Sequence, residues 1–95
     1  MVISDNNKKF LDDLVQYYID ESKSYKQFAS EYKEFTVSEM DVAFGLIVGS
    51  IYSTFLQTYS NQQLEVGLDD IQEFHEFIKS NAEQIRESLE KNQDS

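Results

Sequence analysis

The sequence predicts an all-α protein of one domain (residues 1–95), a three-helix up-down bundle completed by dimerisation. The 95-residue chain contains no proline and only three glycines, the residue types that interrupt helices most strongly. Its first and last thirds repeat apolar residues at steps of three and four, the spacing of an amphipathic helix. Between them, the stretch from Thr36 to Tyr59 carries no charge after Asp41. A helix that is apolar nearly all round is buried, so we expect the other helices to cover this stretch.

The first helix is predicted over residues 7–34, and one position interrupts its apolar seam. The seam consists of apolar residues close to heptad spacing: Leu11, Leu14, Tyr18, Tyr25, Phe28, Tyr32 and Phe35. Glu21 stands where the heptad requires an apolar side chain. A straight helix drifts by about 20° per heptad, which moves the seam towards Ser22 and spares Glu21 from burial. The alternative is a break near residue 22, which makes four helices. We favour one helix, bent at most, because neither Gly nor Pro marks a turn there.

The central helix is predicted over residues 37–60, and its start carries the clearest boundary signal in the chain. Thr36 and Glu39 have the spacing of a capping box, in which each side chain satisfies a free backbone N–H. Phe35 and Met40 stand at the two positions of a hydrophobic staple. We therefore expect Thr36 to be the N-cap of this helix.

Two faces of the central helix differ in the size of their side chains. The bulky face consists of Val37, Met40, Phe44, Ile47, Val48, Ile51, Tyr52, Phe55 and Tyr59. The second face has small residues in its middle and apolar residues at its borders: Val42, Gly45, Leu46, Gly49, Ser53 and Leu56. Two amphipathic helices are too few to cover both faces. We therefore predict a two-fold symmetric homodimer with the second face at or near its interface.

The tyrosines of the first helix are a second candidate for a contact between subunits. Tyr18, Tyr25 and Tyr32 are seven residues apart and so share one face. Aromatic residues at helical spacing most often belong to a core, whereas tyrosine is also enriched at protein interfaces. The sequence supports an internal seam and a subunit interface equally.

The last helix is predicted over residues 69–91, with Asp69 or Asp70 as its N-cap. Its apolar stripe advances by three or four residues at a time: Ile71, Phe74, Ile78, Ala82, Ile85 and Leu89. Gly67, in the preceding link, is expected to supply a positive φ or a helix cap.

Charge and composition exclude several kinds of partner. The formal charge is −10, with eight basic residues scattered among eighteen acidic ones, so we expect no direct binding to nucleic acid or anionic membrane. The strongly apolar part of the central helix, residues 42–56, is shorter than the ~20 residues of a membrane span, so we expect no membrane insertion. The absence of cysteine excludes disulfides and thiolate metal sites. The N-terminal segment does not have the pattern of a signal peptide, and we expect a cytoplasmic protein.

The sequence assigns no catalytic, cofactor-binding or metal-binding residue. The only histidine, His75, lacks the preceding glutamate of a helical Glu-x-x-His metal site, because position 72 is Gln. We therefore interpret His75 as a surface or boundary residue. A site made only of carboxylates, from Asp69, Asp70 and Glu73, is the alternative, although acids in the first turn of a helix are explained as well by its dipole.

These observations favour a small acidic, non-enzymatic protein that acts through protein–protein contacts, as a regulator, adaptor or assembly factor. Its predicted partner is a second copy of the chain. The acidic charge is explained more simply by solubility, and a basic protein that meets the acidic surface is the alternative. Two alternatives stay open. One is an acidic inhibitor that imitates nucleic acid in the binding site of a basic partner. The other is a helical bundle with a carboxylate metal site or an enzymatic activity, since this fold class does not determine function.

Overall fold

The computed structural model describes residues 2–91, and within that range the chain is all-α, which confirms the predicted fold class. The elements are α1 (Asp5–Asp20), α2 (Ser22–Ser30), a 3₁₀ turn (Lys33–Phe35), α3 (Glu39–Asn61) and α4 (Leu68–Lys91). No strand occurs between residues 2 and 91. The molecule measures 40 × 23 × 19 Å. At ~1.5 Å per residue, α3 and α4 each extend along most of the longest dimension.

The first predicted helix is in fact two helices, so the preference for one continuous helix over residues 7–34 is wrong. α1 ends at Asp20 and α2 begins at Ser22, with only Glu21 between them. Glu21 is exposed and Ser22 is buried, as the drift of the seam predicts. The Ser22 hydroxyl donates to the Ser88 carbonyl of α4 over 3.2 Å. The break therefore leaves the Glu21 carboxylate in water while Ser22 contacts α4.

None of the side chains buried within residues 2–30 is aromatic. The buried residues are Ile3, Asn7, Leu11, Val15, Ser22 and Ala29. Of the predicted seam, Tyr18 and Tyr25 are half-buried, whereas Phe28, Tyr32 and Phe35 are exposed. The second half of the seam is therefore not part of the core. The distance between packed helices depends on the side chains at the contact, and the small Ser22 and Ala29 let α2 lie close to its neighbours.

α3 begins later than predicted, because its N-cap is Ser38 and not Thr36. The Ser38 hydroxyl accepts from a backbone N–H of the first turn over 3.1 Å. The Thr36 hydroxyl instead donates to the Tyr32 carbonyl over 3.2 Å, so the predicted capping box does not form. The predicted staple does not form either, since the Phe35 side chain is 83% exposed. The 3₁₀ turn extends through Phe35, which delays the start of α3.

α3 ends in a Schellman motif. The N–H of Gln63 donates to the Ser60 carbonyl over 3.0 Å, and the N–H of Leu64 donates to the Tyr59 carbonyl over 2.9 Å. Gln63 has a φ of 60°, in the left-handed region that glycine adopts at lower cost. Of the two roles expected of Gly67, the positive φ is therefore wrong, since no glycine among the described residues has one.

Gly67 caps the N-terminus of α4, which starts at Leu68, one residue before the predicted start. The Gly67 carbonyl accepts from the Ile71 N–H over 3.1 Å, and the Gly67 N–H donates to the Asp70 carboxylate over 2.9 Å. The second bond is the returning half of a capping box, made here by an acid. Asp69 and Asp70 therefore lie inside the helix, and neither is its N-cap.

α3 and α4 are antiparallel and enclose the centre of the core. Asp41, near the start of α3, forms an exposed ion pair of 3.5 Å with Arg86, near the end of α4. At the opposite end, the Tyr59 hydroxyl donates to the Asp70 carboxylate over 3.1 Å. The buried row of α3 advances in steps of four: Ala43, Ile47, Ile51, Phe55 and Tyr59. The predicted bulky face thus supplies four of these five core residues, whereas Val37, assigned to the same face, lies before the helix and is exposed.

Candidate interaction surfaces

One face of α3 is left open by the other helices, and it is the predicted small-residue face. Gly45, Gly49 and Ser53 are exposed. They lie on the side of α3 away from its buried row. A methyl group added to Gly45 or Gly49 would meet no atom of the surrounding protein within 4 Å. With the half-buried residues at its borders, this row forms what we call the open face of α3: Val42, Gly45, Leu46, Gly49, Ser53 and Leu56.

The open face of α3 carries no charge. The last ionisable carboxylate before it is Asp41, and the next along the chain is Glu65. α4 lies against one flank of α3, where the Tyr52 and Phe74 rings are 5.1 Å apart between centroids. Because glycine has no side chain, a helix from another molecule can come close to the α3 backbone along this face.

A second apolar surface follows α2 and the 3₁₀ turn. Phe28 is 51% exposed, Tyr32 is 47% exposed and Phe35 is 83% exposed. The Phe28 and Tyr32 ring centroids are 5.4 Å apart. Tyr25, one turn earlier, is half-buried. Steps of three and four place these four residues on one flank, which we call the aromatic seam.

Tyr25 connects the aromatic seam to α1. Its ring centroid lies 5.3 Å from that of Tyr18, which in turn lies 5.1 Å from that of Tyr17. Burial, and next the neighbouring Tyr18, raises the pKa of the Tyr25 hydroxyl above its ordinary value, and the Glu21 carboxylate acts in the same direction. Of the three tyrosines in the predicted contact, Tyr18 and Tyr25 are packed side by side, whereas Tyr32 is open to a partner.

Two of the three acids considered for a metal site hold parts of the protein together instead. Asp70 accepts the Tyr59 hydroxyl. Glu73 accepts the backbone N–H groups of residues 2 and 3 over 3.0 and 2.9 Å. Asp69 is exposed. Within residues 2–91, no three His, Asp or Glu side chains are grouped so that they could hold a metal ion.

Tyr59 and Asp70 form a buried hydrogen bond between α3 and α4. Both residues are buried. Burial, and next the hydrogen bond to Asp70, raises the pKa of the Tyr59 hydroxyl to about 12. A tyrosine with this pKa stays protonated at neutral pH, so its hydroxyl serves as a hydrogen-bond donor and not as a base.

Two further polar contacts at this end of the molecule have no signal in the sequence. The side-chain amides of Asn7 and Gln62 exchange two hydrogen bonds of 3.1 and 3.0 Å. Glu73 accepts the backbone N–H groups of residues 2 and 3, which are 71 and 70 positions away in the sequence. Spacing within one helix cannot pair Asn7 with a residue 55 positions away, so the sequence does not reveal this contact.

His75 is exposed, as the sequence predicts for a surface or boundary residue. Its ring stacks on Tyr52, with centroids 6.3 Å apart and planes inclined by 16°. The imidazole therefore extends the aromatic packing between α3 and α4 towards the surface.

By length and composition alone, α3 is the one helix within residues 2–91 that could cross a membrane. Its apolar 18-residue window has a mean hydropathy of 1.3, and 22% of that window is buried. The core helix of a soluble protein meets the same criteria, although such a helix is mostly buried and α3 is not. The expectation of no membrane insertion therefore stays a prediction.

No protein-family model matches the chain, and no curated protein or solved structure is significantly similar to it. The surfaces that bear on function are therefore the open face of α3 and the aromatic seam.

Proposed function

We propose that this protein is a small acidic, non-enzymatic interaction protein that self-associates through the open face of α3. The observation that supports this proposal is the exposure of Gly45, Gly49 and Ser53 in the middle of the most apolar helix of the chain. The buried row of α3 is on its other side, so a single protomer leaves this face in water.

A second copy of the chain suits the open face for reasons of shape and charge. In a two-fold symmetric contact the same patch meets itself, so the small residues of one protomer lie against those of the other. The bordering Val42, Leu46 and Leu56 then lose exposed apolar area, which contributes about 25 cal/mol per Å² buried. Each protomer carries a charge of −10. Two copies therefore meet with least repulsion through an uncharged face.

The test is the oligomeric state of the wild type and of Gly49→Leu, measured by light scattering at micromolar concentration. We expect the wild type to be a dimer and Gly49→Leu to be a monomer, because the added side chain occupies the space that the partner helix needs. No surrounding atom lies within 4 Å of a Cβ at position 49. The variant protomer should therefore keep its helical circular dichroism spectrum.

The matched control is Gln84→Leu, which adds the same side chain at an exposed position of α4. We expect this variant to remain a dimer. A monomeric wild type contradicts the proposal, and so does a dimer that survives Gly49→Leu.

A further inference from the structure

The aromatic seam has the spacing of a helix that pairs lengthwise with another helix. Tyr25, Phe28, Tyr32 and Phe35 advance by three, four and three residues. Glu21, four residues before Tyr25, continues the same row and is exposed. Alternating steps of three and four are the seam of a side-by-side helix pair.

The row extends past the end of α2 into the 3₁₀ turn. The backbone N–H groups of residues 31, 32 and 35 donate to carbonyls three residues earlier, so the chain remains helical but tighter. In a 3₁₀ turn, side chains three residues apart lie above one another. The spacing of three residues therefore continues the seam from Tyr32 to Phe35, at the end of the turn.

The charges around the seam differ between its two sides. The lysines of this segment, Lys23, Lys26 and Lys33, lie roughly 120° or more around the helix from the middle of the seam. Lys26 is on the side of α4, where its ammonium group donates to the Leu89 carbonyl over 3.3 Å. The acids Glu31 and Glu34 are exposed. Helical spacing places Glu31 roughly 80° from the middle of the seam, beside its solvent edge, so the seam is acidic at that edge.

We propose that the aromatic seam binds a basic amphipathic helix of another protein. The matching helix carries apolar residues at steps of three and four, with Lys or Arg opposite Glu21. This inference rests on the proposed role as an interaction protein, but it uses a surface separate from the open face of α3.

A second copy of the chain fits the seam less well than a basic helix. A copy brings its own Glu21 and Glu31, as part of a net charge of −10. Like charges at a helix pair select against that pairing, whereas opposite charges at the same positions select for it. Exposed tyrosine and phenylalanine rings supply the apolar contact area, and aromatic residues dominate the binding energy of many interfaces.

The test uses a dye-labelled basic peptide of about 18 residues, long enough to span the seam at ~1.5 Å per residue. Its leucines are spaced by three and four residues, and its remaining positions are mostly lysine. One comparison peptide has the same composition with the leucines scattered around the helix, and another has glutamate in place of lysine. Fluorescence anisotropy against the full chain should show the patterned basic peptide binding at least about tenfold more tightly than either.

Substitutions in the seam locate the binding. Phe35→Ser and Glu21→Lys should each weaken binding of the patterned peptide by about tenfold. Phe35 is 83% exposed, so its replacement leaves the fold intact. The matched control is Leu64→Ser, which removes a 53% exposed apolar side chain outside the seam and should leave binding unchanged.

Two results overturn the inference. One is equal binding of the patterned and scattered basic peptides, which would mean a general attraction to an acidic protein. The other is unchanged binding by Phe35→Ser and Glu21→Lys. Gly49→Leu separates the two proposals, because it should lose self-association and still bind the patterned peptide. A monomeric wild type that binds this peptide would overturn only the dimer.

Discussion

At the scale of single residues, Tyr59 shows how burial changes what a side chain contributes. Its hydroxyl donates to Asp70 over 3.1 Å, and the ring is packed between Phe55 and the start of α4. The same Asp70 carboxylate also accepts the Gly67 N–H that caps α4. One hydrogen-bonded cluster therefore connects the end of α3 to the beginning of α4.

Replacing Tyr59 by phenylalanine should lower the free energy of unfolding at pH 7 by about 1 kcal/mol, because a buried hydrogen bond is lost. The pKa of this tyrosine is about 12 in the folded protein and 10.0 in its ordinary state. Below pH 10 the hydroxyl is protonated in both states and its contribution is complete. As the pH rises further, the unfolded chain loses its proton first, so stability falls and the contribution is lost towards pH 12.

Urea unfolding at a series of pH values tests both effects. The decline in stability between pH 10 and pH 12 should be shallower in Tyr59→Phe than in the wild type. The control is Tyr17→Phe, which removes the hydroxyl of a 53% exposed tyrosine and should follow the wild type. Parallel curves for the wild type and Tyr59→Phe would contradict this account.

At the scale of elements, local hydrogen bonds decide where each helix begins and ends. The start of α3 is the clearest case, because Thr36 and Ser38 are both good N-cap residues and only Ser38 is used. Thr36 bonds back to Tyr32, across the 3₁₀ turn. The end of α3 shows the same principle, since Gln63 adopts a φ of 60° although Gly67 is only four residues away.

The two candidate caps of α3 can be separated by alanine substitution. Ser38→Ala should lower the free energy of unfolding by about 1 kcal/mol, because a backbone N–H of the first turn loses its acceptor. Thr36→Ala should cost about 0.5 kcal/mol or less, since it removes only a bond near the surface. Thermal or urea unfolding of the two variants measures the difference. A larger loss in Thr36→Ala would show that the cap is at the predicted position after all.

At the scale of the whole molecule, the acidic residues outnumber the basic ones on a narrow bundle, so they repel one another. Within residues 2–91, seventeen acidic and eight basic residues share a body 40 Å long and about 20 Å across. The ion pairs within residues 2–91, Lys9–Asp13 and Arg86–Asp41, are exposed and therefore contribute little. Repulsion among the acids thus outweighs attraction and destabilises the compact state.

Salt should therefore stabilise this protein. Raising the ionic strength shortens the screening length from ~30 Å at 0.01 M to ~8 Å at 0.15 M, which is less than the width of the bundle. We expect Tm to rise by several degrees over that range. The control is the double variant Glu76→Lys and Glu83→Lys, which reverses two exposed acids and should reduce the rise. A Tm that falls with salt would contradict the argument.

The sequence by itself determined the helical class, the apolar central helix and the position of its small-residue face. These features depend on interactions within one helix, so the composition and the steps of three and four residues are sufficient to predict them. The exposed state of His75 belongs to the same group, because the apolar stripe of α4 passes beside it.

Only the tertiary structure decided which flank of α1 and α2 is buried, and where the first helix breaks. α1 and α2 present two rows of side chains, one aromatic and one containing the small Ser22 and Ala29. The row with Ser22 and Ala29 is buried, because small side chains let α2 lie close to α3 and α4. That selection leaves Phe28, Tyr32 and Phe35 on the surface. The Tyr59–Asp70 and Asn7–Gln62 contacts were decided in the same way, since their partners come together only when the helices pack.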